Sequence, residues 1–91
     1  MINKREKLTL ISIECISKKE NSNKIKIELL NDKNKKIEIY FEFFCNKDTP
    51  EGVIKELIDD ANIEINNKHD FINFLTIVNK KNSRIMKIKS Y

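Results

Sequence analysis

From Leu8 to Phe44 the apolar positions recur with a period near two. Residues 24–30 (KIKIELL) alternate cleanly, with Ile25, Ile27 and Leu29 on one face. Residues 37–44 (IEIYFEFF) do the same: Ile37, Ile39, Phe41 and Phe43 point one way, and Glu38, Tyr40 and Glu42 the other. Such alternation predicts strands with one buried face. Residues 8–16 (LTLISIECI) form a third strand, but its alternation slips at Leu10-Ile11. The slip signals a bulge or burial on both faces. Two polar turns, KKENSN and NDKNKK, join the three strands. Short turns between strands predict an antiparallel meander.

After Phe44 the period changes to about 3.6. Val53, Ile54, Leu57, Ile58 and Ala61 form an apolar stripe on a first helix. Asp48 or Thr49 caps it, and Pro50 suits a first turn, where a missing N–H costs nothing. Asp48 and Glu51 have the spacing of a capping box, with Asp in the hydroxyl's place. A polar stretch, EINNK, interrupts. Phe71, Phe74, Leu75 and Val78 then fall at helical spacing within residues 70–79. After the loop NKKNSR, residues 84–89 (RIMKIK) read as a closing strand. The expected fold is therefore α+β: a small antiparallel sheet packed on two helices, in the order β-β-β-α-α-β. With no repeat or linker, residues 1–91 read as one domain.

Composition adds a positive charge of +4 and a pI near 9.1, which invites a nucleic-acid reading. The lysines argue against it. They are scattered, with only short pairs at Lys18-Lys19, Lys35-Lys36 and Lys80-Lys81, and a chain rich in Lys, Ile and Asn has the composition that A/T-rich codons impose. A solvated surface accounts for them. No apolar run is long enough to span a bilayer, so no membrane role is expected. The basic N-terminus, MINKREKLTL, lacks the apolar region and cleavage site of a signal peptide. Cys15 and Cys45 have no metal or redox spacing and read as reduced, partly buried small hydrophobes. A cytoplasmic location follows.

Catalytic chemistry finds few candidates. His69 opens the second helix among polar residues, which suits a surface or capping role better than a general base. One glycine cannot build a phosphate loop. No Cys/His cluster matches a zinc site, and no Asp/Asn/Gly alternation matches a calcium loop. The serines lie in no nucleophile motif. The expectation is no enzyme, no cofactor and no metal.

The acids are more informative. Asp48, Glu51, Glu56, Asp59 and Asp60 crowd one short segment, against the single base Lys55. On a helix, Glu56 and Asp60 stand one turn apart beside Val53 and Leu57. Two readings fit. In one, Val53, Leu57 and Phe41 are ordinary core and the acids are caps and solvated edges. In the other, an apolar slot lined by Phe41, Val53 and Leu57 takes an anchor side chain, while the neighbouring carboxylates hold a guanidinium by charge-assisted hydrogen bonds.

A sequence resemblance bears on that choice. Phe41-Glu42-Phe43, four residues, then Asp48-Thr49-x-Glu51-Gly52-Val53-x-x-Glu56-Leu57-Ile58 resembles the conserved C-terminal (CCT) domain of oxidative-stress-responsive Ste20-type kinases. It is similar also to the autoinhibitory domain of with-no-lysine kinases, which Phe71, Ile72 and Leu75 resemble more. The likeness covers residues 24–78 and, weakly, the closing strand. It implies a peptide-binding module rather than an enzyme, one that docks Arg-Phe-x-Val or Arg-Phe-x-Ile segments. The implied roles are Asp48 and Glu56 holding the arginine, and Ile39, Phe41, Val53 and Leu57 receiving the apolar side chains. Implied partners are proteins carrying such motifs, with-no-lysine-type kinases or their substrates among them, in kinase signalling or scaffolding.

The chain also departs from the family. Where the kinases continue after the helix core with a small residue, glycine and a hydrophobe, it has Asp59-Asp60-Ala61-Asn62-Ile63. Residues 8–16 have no counterpart in it. No kinase core precedes the module, so it is either cut from a larger protein or a free-standing scaffold or competitor. Two other classes remain as alternatives. One is a nucleic-acid-binding domain using the lysine-rich sheet face and Lys80, Lys81 and Arg84. The other is a structural subunit held through the sheet edge or the second helix.

Overall fold

The computed structural model describes residues 5–80 and 85–87. The meander is present: β1 (Glu6–Lys18), β2 (Ser22–Leu30) and β3 (Lys36–Phe44) pair antiparallel in sequence order. α1 (Pro50–Ala61), β4 (Ile63–Ile65), α2 (Lys68–Lys80) and β5 (Ile85–Lys87) follow. The sheet runs β3-β2-β1-β4, with β5 also paired to β1. The class is α+β, as the pattern predicts, with one strand more than expected between the helices. That strand, β4, lies parallel to β1, so the sheet is mixed rather than wholly antiparallel. Of the expected closing strand, Ile85, Met86 and Lys87 pair with Glu14, Ile13 and Ser12. Arg84, Ile88 and Lys89 lie outside the described residues, as do Lys81 and the first four residues.

The slip at Leu10-Ile11 is a β-bulge. Leu10 pairs with Leu29 and Ser12 with the next residue back, Glu28, so Ile11 is the extra residue. The bulge shifts the phase of alternation by one. Leu8 and Leu10 before it, and Ile13 and Cys15 after it, therefore share the core face and are all buried. Ile16, which follows the inward Cys15 and is the extra residue of a second irregularity between Cys15 and Ser17, points outward and is 45% exposed. Ile25, Ile27, Leu29 and Phe43 extend the apolar face across β2 and β3.

Both helices cover this face. α2 contributes Phe71, Leu75 and Val78, each fully buried, and α1 contributes Val53, Ile54 and Leu57. Burying one such side chain stabilises by about 1.5–3 kcal/mol. Phe74 is only partly buried at the edge of this core. Asn23 Nδ2 donates to Asn79 Oδ1 at 2.7 Å and ties the end of α2 to β2. Cys15 is buried, but Cys45 is exposed, because it falls in the turn after β3 rather than on the strand; neither forms a disulfide. His69 is exposed in the first turn of α2. Among the described residues no helix is long and apolar enough to cross a membrane.

β1 has β2 along one side. On the other side β4 covers residues 6–8 and β5 covers residues 12–14, leaving a gap at Leu10. Asn67 closes it with its side chain. Its Oδ1 accepts from the Leu10 N–H at 2.9 Å, and its Nδ2 donates to the Leu10 carbonyl at 3.0 Å. The amide replaces a missing strand residue at a buried position. Asn66 supports it: its backbone N–H donates to the Leu8 carbonyl at 2.8 Å, and its Nδ2 to Thr9 Oγ1 at 3.1 Å.

Asn67→Ala would strand both backbone groups of Leu10. Each unsatisfied buried group costs about 1–3 kcal/mol. The expected result is a lower urea midpoint with an unchanged m-value. A variant within about 0.5 kcal/mol of wild type, as expected of an ordinary surface site, would contradict this role.

Candidate functional site

The loop after β3 delivers Asp48 to the entrance of α1. Thr49, not Asp48, is the N-cap: its backbone is extended (φ −126°, ψ 154°) and its Oγ1 accepts from the Gly52 N–H at 3.0 Å. Pro50 follows at the start of the helix. The capping-box expectation for Asp48 and Glu51 is not met: the cap falls one residue later, before Pro50, and its third helical position is Gly52, which has no side chain to return the bond. Asp48 instead folds back on the strand end. Its N–H donates to the Phe44 carbonyl at 2.8 Å, and its Oδ2 accepts from the Phe44 N–H at 2.9 Å. Those bonds hold the half-buried carboxylate in place and leave Oδ1 for another donor.

A groove of about 180 Å³ opens between β3 and α1. All six residues singled out by the sequence line it: Ile39, Phe41, Val53 and Leu57 below, Asp48 and Glu56 on the rim. Glu42, Asp60 and Ala61 border it as well. Its volume is below the roughly 300–1,000 Å³ of small-molecule sites and suits single side chains. The expected floor is shared with the core. Val53 and Leu57 are at most 9% exposed, while Ile39 and Phe41 are only partly covered because β3 is the sheet edge.

Strict alternation assigns Glu42 to the opposite face, so the pattern alone misses it as a border of the groove. The ladder explains its place. Phe44 turns both its N–H and its carbonyl away from β2, toward Asp48 and Lys47. In an antiparallel pair this parity repeats every second residue. The backbone groups of Glu42 and Tyr40 therefore lie along the outer edge of β3, beside the groove. That edge pairs with no other strand among the described residues.

The rim is negative along its length. Among the described residues, Asp48, Glu56 and Asp60 take part in no ion pair. α1 ends at Asn62, a left-handed C-cap (φ 57°), with no basic residue in its last turn. Acids at that end face the negative pole of the helix.

The opposite sheet face carries lysines, and two of them, Lys26 and Lys36, are matched there, as is Lys19 just beyond β1. Lys26 lies 3.6 Å from Glu28, 3.7 Å from Glu38 and 3.9 Å from Glu14; Lys36 lies 3.5 Å from Glu28, and Lys19 3.9 Å from Glu42. Desolvation works to lower the Lys26 pKa, but Glu38, Glu28 and Glu14 outweigh it and raise it above the usual lysine value. The Ser12 hydroxyl, donating to Glu28 at 2.8 Å, holds the Glu28 carboxyl below the usual range. Partial burial opposes this, and Lys36 and Lys26 add to it. Around Lys26 and Lys36 this face is a mixed-charge lattice rather than a one-signed surface. Lys80, Lys81 and Arg84, the rest of the nucleic-acid alternative, lie outside the described side chains.

Two other depressions are larger and less selective. One of about 900 Å³ at the far end of the sheet mixes Arg5 and Lys7 with Glu6, Asp32 and Glu64. Another of about 430 Å³ lies on the lysine face, between Lys19, Lys24 and Tyr40. Among the described residues no group of three or more His, Cys, Asp or Glu is placed to hold a metal ion.

Glu28 sets a pH dependence. Folding lowers its pKa, so the unfolded chain binds the proton more readily. Its contribution is present above the unfolded value, about 4.3, and is lost as pH falls through the folded value. Glu28→Gln should therefore flatten the loss of stability as the pH falls below that unfolded value in urea titrations. An acid limb as steep as in wild type would contradict the assignment.

Comparison with family models, with curated proteins and with solved structures finds no match to this chain.

Proposed function

We propose that this domain docks short Arg-Phe-x-Val or Arg-Phe-x-Ile segments of other proteins, as a non-enzymatic module of cytoplasmic kinase signalling or scaffolding. One observation carries the reading. A groove with an apolar floor (Ile39, Phe41, Val53, Leu57) and an anionic rim (Asp48, Glu56) lies beside an edge strand, and no described residue neutralises the rim. An extended segment can add to the β3 edge through the outward backbone groups of Tyr40 and Glu42. Its side chains alternate, so the aromatic and aliphatic residues of the motif enter the floor while the arginine turns to the rim. Asp48, with one oxygen tied to Phe44, offers the other to the guanidinium in a fixed place. The F-E-F strand and the D-T-x-E-G-V turn, with their likeness to the kinase CCT domains, support the same assignment. Motif-bearing with-no-lysine-type kinases or their substrates are the partner class that likeness proposes.

The test is a fluorescence-anisotropy titration with a labelled Gly-Arg-Phe-Gln-Val peptide and an Arg→Ala control. Saturable binding near micromolar, about −8 kcal/mol, is expected, with loss in the control. Asp48→Asn keeps an acceptor for Phe44 and removes the charge; it should weaken binding by about 1.5–3 kcal/mol, roughly ten- to a hundredfold. Glu56 is exposed, and Glu56→Gln should cost only about 0.2–1 kcal/mol. No binding up to about millimolar by folded protein would overturn the proposal.

A further inference from the structure

We propose that the ligands of this groove carry a second basic residue, two positions from the arginine, held by Asp60. The inference rests on the docking reading above and specifies the class of peptide that the groove takes. Asp60 borders the same groove as Asp48 and Glu56. It is exposed, and it has no ion-pair partner among the described residues.

Two local features make Asp60 costly in the unliganded domain. It sits one helical turn beyond Glu56, and like charges at that spacing repel. It also lies in the last turn of α1, where carbonyls already present negative potential and no base offsets it. A cation laid along this end of the rim relieves both. The groove thus has complementarity for two positive charges, one near Asp48 and Glu56 and one farther along α1.

The spacing selects the peptide position. Four helical residues advance about 6 Å along α1. An extended peptide advances about 6.6 Å over two residues, and those two point to the same side. A basic residue two positions from the arginine therefore lies beside it on the rim side, while the aromatic and aliphatic anchors point to the floor. The position between the two anchors, x of the motif, meets this condition. So does the second residue before the arginine, if the segment runs the other way along α1.

The experiment compares labelled peptides on wild-type domain and on Asp60→Asn at low salt. The peptides are Gly-Arg-Phe-Gln-Val, Gly-Arg-Phe-Lys-Val, Gly-Arg-Phe-Glu-Val and Lys-Gly-Arg-Phe-Gln-Val. One of the lysine peptides should bind about two- to fivefold tighter than the glutamine peptide, the range of an exposed ion pair. The glutamate peptide should bind more weakly. Asp60→Asn should abolish the lysine advantage, so that the lysine and glutamine peptides bind that variant within about twofold of one another. Lysine peptides that gain nothing, or a gain that survives Asp60→Asn, would overturn the inference while the docking reading stands. Failure of the glutamine peptide itself to bind would overturn both. Circular dichroism of Asp60→Asn checks that this exposed substitution leaves the fold intact.

Discussion

β1 must present one apolar face to the core along most of its length, and its sequence does so only if the strand skips a residue at Ile11. Leu8 and Leu10 lie on one parity, Ile13 and Cys15 on the other. The bulge merges them, and all four are buried. The same shift sends Ser12 to the polar face, where its hydroxyl meets Glu28. β1 pairs with β2, β4 and β5, and α2 packs against it. An unbulged register would carry Ile13 and Cys15 out to solvent and bring Ser12 and Glu14 into the core. The Asn67 side chain completes the arrangement where β4 ends and β5 has not begun.

With the centre of the sheet fixed, the groove is a consequence of its edge. β3 lies at the end of the sheet, so Ile39 and Phe41 are covered on one side only. α1 is anchored beside them by Thr49, Pro50 and the return of Asp48 to Phe44. The floor is therefore core that has not been fully closed. Charge is segregated in the same way. Lys19, Lys26 and Lys36 are matched by Glu14, Glu28, Glu38 and Glu42, whereas the rim acids of α1 have no described cation. A net charge of +4 thus coexists with a locally negative groove.

Much of this was legible in the sequence because its signals are local. Alternation located β2 and β3, the slip at Leu10-Ile11 located the bulge, and helical spacing located Phe71, Leu75 and Val78 in the core. β4 was not legible. Ile63-Glu64-Ile65 is too short to show a period, and it becomes a strand only by lying against residues 6–8 of β1. Asn67 looked like a polar interruption for the same reason: its partner, Leu10, is 57 residues away. Asp48 and Thr49 were both candidate caps, and the proline after Thr49 decides between them. Phe41, Val53, Glu56 and Leu57 came together because strand parity and helix phase are both sequence properties; Asp48 was placed by its position at the helix entrance, and Ile39 was added by the resemblance. Glu42 was not placed there, because which side of an edge strand opens to a groove depends on the whole sheet.

The most direct test of a functional groove between β3 and α1 is amide NMR of the ¹⁵N-labelled domain titrated with Gly-Arg-Phe-Gln-Val. Largest shifts at Ile39, Tyr40, Phe41, Glu42, Asp48, Val53, Glu56 and Leu57, with the Lys26 and Glu28 amides unmoved, are the predicted result. Shifts centred on the lysine face of the sheet, or none at a saturating concentration, would contradict it.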